Sequence, residues 1–338
     1  MIEPILEKKY WDEVLAKIKD YDCHHTFEYH AISKQKDETA MLLVYRSNDA
    51  IIALPLIKRS IPGSDYFDCT SAYGYVGPIF CSNVQNENFL KFQVALEAYF
   101  KKQKIVCVFT RLNPFIANQE NAISNLGDIE VLGNVIQIDL STELQKQRAG
   151  YSKITKRYIN KAKRHCDIKK SLDEQDILTF RDMYYENMDR VKANKSYYFT
   201  KEYFLDIIKT KDFETEVIYA VLKETGQIIS GAIMMKKNKL IHYHLSGTLT
   251  KYMHLNPLRL ILDEAREQGT KETYDFMNLG GGLAGSEDSL FQFKSTFSKD
   301  FKKFKIWKYI VDENVYRELI KAKNNGSNNY FPSYRYKI

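Results

Sequence analysis

Residues 38–59 read ETAMLLVYRSNDAIIALPLIKR, and residues 214–237 read ETEVIYAVLKETGQIISGAIMMKK. In each, an apolar strand enters a polar turn (Ser47-Asn48-Asp49; Glu224-Thr225-Gly226) and leaves as a second apolar strand ending in basic residues. One hairpin used twice, about 176 residues apart, points to two similar domains. A chain of 338 residues has room for both.

The flanking sequence repeats as well. Before the first copy, Trp11, Val14, Leu15 and Ile18 share one face of a helical pattern from Tyr10 to Lys19. Before the second, Ile177–Arg190 and Lys201–Lys209 are helical by spacing. After the first come Tyr73–Phe80, a helix Asn86–Lys102 and a strand Ile105–Thr110. After the second come a strand Leu240–Ser246, a helix Pro257–Gln268 and a strand Thr273–Leu279. Helix, antiparallel strands, helix and strand, run twice, is an α+β order: two domains, each a mixed, mainly antiparallel sheet flanked by helices. The strand Val135–Leu140 meets a cap signal at Asp139-Leu140-Ser141, which puts the seam between residues 1–140 and 141–338.

Composition narrows the class. Hydrophobic content is 44% and charged content 28%, ordinary for a globular protein in water. No apolar run reaches membrane-spanning length, and Met1-Ile2-Glu3-Pro4 opens no signal peptide, so a cytoplasmic location is expected. Five widely spaced cysteines without a C-x-x-C pair read as reduced thiols, with no metal centre. The net charge of +7 favours anionic partners, and 24 tyrosines suit sugar or nucleotide sites.

The stretch richest in chemistry is Gly280–Asp300, GGGLAGSEDSLFQFKSTFSKD. A glycine run lets a backbone approach a ligand, and the following helix sets Lys294 among phenylalanines. A lysine there is partly desolvated, unless it snorkels from a helix that only buries its Phe face. Lys153, Lys156, Arg157, Lys161 and Arg164 share a basic helical face, open to RNA or membrane phosphates or simply to solvent. The tail Lys323–Ile338 is polar and turn-rich.

The order of elements resembles the Fem-type aminoacyltransferases (FemABX family), tandem acetyltransferase-fold (GNAT-like) proteins that add amino acids to peptidoglycan precursors. The resemblance covers about residues 10–310. It is carried by Tyr73-Gly74-Tyr75-Val76-Gly77-Pro78 in the first half and by Ser289-Leu290-Phe291-Gln292-Phe293-Lys294 in the second. It implies two GNAT-like domains and transfer of an aminoacyl group to an amine on a peptidoglycan or surface-polysaccharide precursor. The implied donor is aminoacyl-tRNA, with no resident cofactor. Relatives that bind tRNA often carry a long helical hairpin in the second domain. No heptad pair of that length is present, so acyl-CoA stays open as donor.

The resemblance assigns roles by position. Lys294, beside Phe293, matches the lysine that neutralises developing charge. Arg190 and Tyr198 match residues that hold the acceptor's phosphates, and Tyr73, Gly74, Tyr75 and Gly77 would line the same groove. From the residues themselves, strand alternation puts His242 and His244 on one face and Tyr243 on the other. His244 is a candidate general base and Tyr243 a candidate substrate contact. After the strand at Leu240, no glycine-rich phosphate loop follows. Asn256-Pro257 reads instead as an N-cap and first helical residue, and Asn256 as a possible ligand contact at that helix end.

No G-x-S-x-G elbow, Walker loop or H-E-x-x-H motif occurs. Three functions therefore stand: a Fem-like transferase, an acyl-CoA-dependent N-acyltransferase acting on a nucleotide- or lipid-linked amino sugar, or a non-catalytic glycan- or RNA-binding relative. The partners expected are an envelope saccharide or peptide precursor, tRNA and the inner face of the membrane.

Overall fold

The two hairpins fold as near-continuous apolar strands because both of their faces are covered. The computed structural model describes residues 1–47, 50–82, 84–322 and 330–336. Asn48 and Asp49 of the first turn, and most of the tail at Lys323–Ile338, lie outside those residues. The first unit starts with β1 (Ile2–Ile5), α1 (Lys8–Leu15) and α2 (Phe27–Ser33). The hairpin is β2 (Thr39–Arg46) and β3 (Ile51–Ser60), in register from Thr39 opposite Lys58 to Arg46 opposite Ile51. There follow β4 (Phe67–Thr70), the two-residue β5 (Ile79–Phe80), α3 (Asn86–Lys102) and β6 (Ile105–Arg111). Strand β4 is antiparallel to β3 and parallel to β6, with α3 as the crossover that a parallel pair needs.

Strand β7 (Asp128–Asp139) carries the chain into the second unit. Here α4 (Leu144–Ala149), α5 (Lys153–His165), β8 (Cys166–Lys170), α6 (Glu174–Arg190) and α7 (Lys201–Lys209) precede the second hairpin. That hairpin is β9 (Glu214–Leu222) and β10 (Ile228–Lys237), followed by β11 (Leu240–Thr248), α8 (Pro257–Lys271) and β12 (Phe276–Gly280). Strand β11 is antiparallel to β10 and parallel to β12. The duplication read from the sequence is thus a duplication of topology: β2-β3-β4-α3-β6 and β9-β10-β11-α8-β12 run the same course.

Two expectations need correction. The counterpart of β11 is β4, not Tyr73–Phe80. Gly74 and Gly77 turn the backbone to φ +108° and +80°, so most of that stretch is loop. Strand β4 is easily missed because it is four residues long and carries the buried Asp68. The units are also discontinuous: one holds Met1–Leu132 with the described residues from Lys303 onward, the other Gly133–Lys302. A single seam at 140/141 assigns the closing segment to the second domain. Instead α9 (Ser289–Lys294) ends the second unit's helices, and β13 (Asp300–Ile310) returns to pair with β6, followed by α10 (Glu313–Ala322). The return is driven by burial, since Trp307 is fully enclosed in the first core beside Phe92, Leu96 and Phe100 of α3. The second core packs Ile159 of α5 and Leu260, Ile261 and Ala265 of α8 against Ile218, Met234, Ile241 and Met277 of the sheet. Among the described residues, no helix is long and apolar enough to cross a membrane.

Candidate active site

The glycine stretch does more than permit an approach. Gly280 ends β12 at φ +74°, its N–H held by Asn278 Oδ1 at 2.8 Å. A Cβ on Gly281 would lie 2.6 Å from the Asn134 carbonyl oxygen. One on Gly282 would lie 2.1 Å from that of Ser286 and 2.4 Å from Asp288 Oδ1. These glycines are therefore demanded by the fold of the loop itself. Asp288 knits it together: Oδ2 accepts the Leu283 N–H and Oδ1 the Phe291 N–H, both at 2.9 Å, which also caps α9. Burial raises the Asp288 pKa, but its backbone donors and the nearby Lys294 charge outweigh that and hold it below the ordinary value.

Lys294 ends α9 with its side chain turned inward and the residue only 8% exposed. Nζ donates to the Gly281 carbonyl at 2.8 Å and lies 5.6 Å from the centre of the Tyr243 ring. Burial pushes its pKa down to about 8, against a smaller opposing pull from Asp288. Among the described residues it has no ion-pair partner within 4 Å, and one of its three N–H donors is engaged. The ring beside it is tyrosine rather than phenylalanine. Phe291 and Phe297 belong to the core, Phe293 packs against that core, and Phe301 is largely exposed. Tyr243 is itself pushed up to about 12 by burial, and its hydroxyl shares a hydrogen bond with Ser246.

A bulge between Tyr243 and Leu245 leaves His244 as the extra residue of β11 opposite β10. Its Nε2 meets the Tyr203 hydroxyl of α7 at 2.7 Å, while Tyr243 packs against the core under α8. Tyr243 and Lys294 are brought together, whereas the bond given for His244 runs to Tyr203 of α7. His242 bonds Asn278 at 3.2 Å. Phe293 lies under the Arg259 guanidinium, 4.6 Å from ring centre to carbon. Arg190 donates to Asn187, and the Tyr198 hydroxyl donates to Asp189 at 2.6 Å, so both are tied to α6. Asn256 sits at the head of α8, but in the left-handed region (φ 56°) with no side-chain cap bond. Its amide donates weakly to the His254 carbonyl at 3.4 Å. Asn256 and Pro257 thus hold the N-cap and first helical positions as expected, but the left-handed backbone replaces the extended conformation usual at an N-cap and no side-chain cap bond forms.

Tyr73, Gly74, Tyr75 and Gly77 belong to the first unit. A Cβ on Gly74 would lie 2.3 Å from the His24 ring, and one on Gly77 2.6 Å from Gln119. Both glycines thus serve the chain's own packing. The Tyr73 carbonyl accepts from Tyr29 at 2.7 Å, and Tyr75 sets its ring edge-on to Phe304. The sequence reading overlooked Asp288 and Ser246. The signal for Asp288 was present, an acid directly before a Ser-Leu-Phe helix start.

No family model matches the sequence, and no curated protein is similar to it. Solved structures are similar in shape. FemX aligns over 94% of this chain and 99% of its own, with a TM-score of 0.73 at 12% identity. The chain shares the FemX fold. The C-terminal domain of a protein named as a lysylphosphatidylglycerol synthetase from Agrobacterium fabrum aligns over 94% of this chain and 96% of its own, with a TM-score of 0.57 at 14% identity. A tandem GNAT protein from the clavulanic acid biosynthesis pathway aligns over 92% and 99%, with a TM-score of 0.52 at 10% identity. The α+β architecture of two tandem GNAT-like domains expected from the sequence is the one found.

Proposed function

We propose that this chain is an acyltransferase of the aminoacyl type, acting on an amino group of a cell-envelope precursor in the cytoplasm. The observation that carries the reading is Lys294, a buried cation with donors to spare beside a tyrosine ring, at the end of a helix that Asp288 caps and joined to the carbonyl of Gly281 in the glycine loop. The FemX fold supports the reading.

In the reaction, an acceptor amine attacks the activated acyl carbonyl. A C–N bond forms, the carbonyl oxygen takes the negative charge, and collapse breaks the bond to the donor's leaving oxygen. The amine loses a proton and the leaving oxygen gains one. A preorganised cation in a water-poor site stabilises that oxyanion far better than solvent does. With its pKa near 8, Lys294 is mostly charged at neutral pH yet close enough to titration to hand a proton to the leaving oxygen. The acceptor's phosphates would fall to Arg190 and Tyr198, with Asn256 and Phe293 near the donor. Acyl-CoA is the second reading of the donor. It is favoured by one feature: the longest helices of the second unit, α6 and α8, have 17 and 15 residues and make no long hairpin.

The test supplies aminoacyl-tRNA and, separately, acetyl-CoA, each with a labelled acyl group, to the protein and a nucleotide-linked muropeptide or amino sugar. Transfer from aminoacyl-tRNA, lost in Lys294→Met, is the expected result. Transfer from acetyl-CoA alone reassigns the donor. Wild-type turnover in Lys294→Met removes the mechanism, and tight glycan or RNA binding without turnover makes the protein a binding relative. If His244 takes the amine's proton, His244→Gln lowers kcat and removes the acidic limb of the pH–rate profile. An unchanged profile takes it out of the scheme.

A further inference from the structure

In the first unit, a carboxylate, a thiol and an imidazole gather at the short 3₁₀ turn Cys23–His25 between α1 and α2. Asp22, Cys23 and His24 are 2%, 0% and 2% exposed, and the ligand atoms they offer lie within 4.8 Å of one another. His24 Nδ1 is 3.3 Å from Asp22 Oδ2 and 3.8 Å from Cys23 Sγ. Consecutive residues rarely converge in this way, because neighbours in a 3₁₀ turn splay by about 120°. Asp22 escapes that rule by standing just outside the turn in extended backbone. Its carboxylate folds over the turn to take the His24 N–H at 2.9 Å, which brings the acid to the other two side chains.

Neither spacing is that of a good hydrogen bond: nitrogen and oxygen prefer about 2.9 Å, and 3.8 Å leaves sulfur and nitrogen barely in touch. Both are close to the edges of a coordination tetrahedron. With metal–nitrogen and metal–oxygen bonds of about 2.1 Å and a metal–thiolate bond of about 2.3 Å, those edges are about 3.4 Å and 3.6 Å. Charge agrees as well. A carboxylate and a thiolate carry two negative charges that a divalent cation cancels, and the imidazole enters neutral. In the cation's absence, His24 or His25 neutralises the buried carboxylate only by taking a second proton.

Outer contacts hold the three side chains in place. Asn113 Nδ2 donates to Asp22 Oδ2 at 2.7 Å, which leaves that oxygen a second lone pair, and to the Tyr75 carbonyl at 3.2 Å. His25 sets Nδ1 2.9 Å from Asp22 Oδ1 and Nε2 3.0 Å from the Val76 carbonyl. The His24 ring stands edge-on to Tyr29 and Tyr75, and a Cβ on Gly74 would lie 2.3 Å from it. Partners of this kind orient metal ligands from behind.

We infer that Asp22, Cys23 and His24 bind a divalent cation of the zinc class, and that the ion fixes the turn at residues 22–25 against the loop at residues 73–78. A mixed set of sulfur, nitrogen and oxygen donors suits zinc, whereas magnesium and calcium prefer oxygen alone. Binding forms a metal–sulfur bond and releases the thiol proton to solvent, with no change of oxidation state. The ligands are consecutive and include a single cysteine, so no cysteine spacing announces them in the sequence. The site stands independently of the acyl-transfer reading.

The test takes the full chain, purified without a histidine tag and stripped with EDTA, and titrates it with zinc chloride by calorimetry. A parallel titration with cobalt chloride reads the ligands by visible absorption. One zinc per chain and a thiolate-to-cobalt charge-transfer band are the expected results. Cys23→Ser should abolish the band and weaken zinc binding by roughly a hundredfold, and His24→Gln should weaken it similarly. Cys81→Ser, at a half-exposed thiol elsewhere in the first unit, should leave both unchanged. Zinc should raise the melting temperature of the wild type and not that of Cys23→Ser. If Cys23→Ser does not fold by circular dichroism, Asp22→Asn, which keeps a capping side chain and loses the charge, reads the same site, and weakened binding supports it. No zinc bound at about 100 μM, a cobalt complex without the charge-transfer band, or wild-type affinity in the ligand variants overturns the proposal.

Discussion

Lys294→Met should make this protein more stable at neutral pH, and the gain should fade as the solution turns alkaline. The folded chain holds the Lys294 ammonium at a pKa of about 8, against 10.5 in the unfolded chain. Below pH 8 both states carry the proton and the folded state bears the full desolvation cost, about 3 kcal/mol at pH 7. As pH rises from 8 towards 10.5 the folded lysine is neutral while the unfolded one still binds protons. Wild-type stability therefore climbs relative to the variant, and under about 1 kcal/mol of the cost remains at pH 10. Losing the bond to the Gly281 carbonyl subtracts a constant of about 1 kcal/mol from the variant, which shifts the difference but not its slope. Tyr243, pushed up to about 12, stays protonated across this window. Urea unfolding of both proteins at half-unit steps from pH 7 to 10 reads the slope directly. Parallel stability curves would refute the buried ammonium and, with it, the electrostatic role given to Lys294.

Two other perturbations test separate parts of the structure. Gly282→Ala forces a Cβ against the Ser286 carbonyl and Asp288, so the α9 cap should loosen at a cost of about 1–2 kcal/mol. The melting temperature should fall modestly while acyl transfer falls much further; equal losses in the two would contradict the placement of this loop at the chemistry. His30 is buried in the first unit, its Nδ1 bonding the Thr26 carbonyl and its Nε2 without a partner. Burial pushes its pKa down to about 3. Its contribution is complete above pH 6.5 and lost as pH falls towards 3, about 3 kcal/mol by pH 4. His30→Gln should flatten acid unfolding between pH 7 and 4, seen by tryptophan fluorescence; an unchanged midpoint slope would show that His30 does not govern it.

The fold was legible where periodicity was strong. The repeated hairpin and the helices at Asn86–Lys102 and Lys201–Lys209 lie where their patterns put them, because apolar alternation records burial directly. Strand β4 was not legible, since four residues with an aspartate in the middle leave no pattern; Asp68 is explained by Arg59 opposite it on β3 and by Tyr334 and Arg335, distant in sequence. The site was half legible. A lysine among aromatic residues can be seen in a string of letters, but the carbonyl it bonds and the tyrosine it faces come from a loop and a strand that tertiary structure brings in.

The return of β13 to the first unit bears on how the chain is made. A ribosome delivers residues in order, so the first unit leaves it lacking Trp307 and the strand that carries it. That core stays incomplete while the contiguous stretch Gly133–Lys302 is produced. The later domain has all of its own residues before the earlier one does. The last strand then acts as a clasp, and a message truncated before Trp307 yields a finished second domain tethered to an unfinished first.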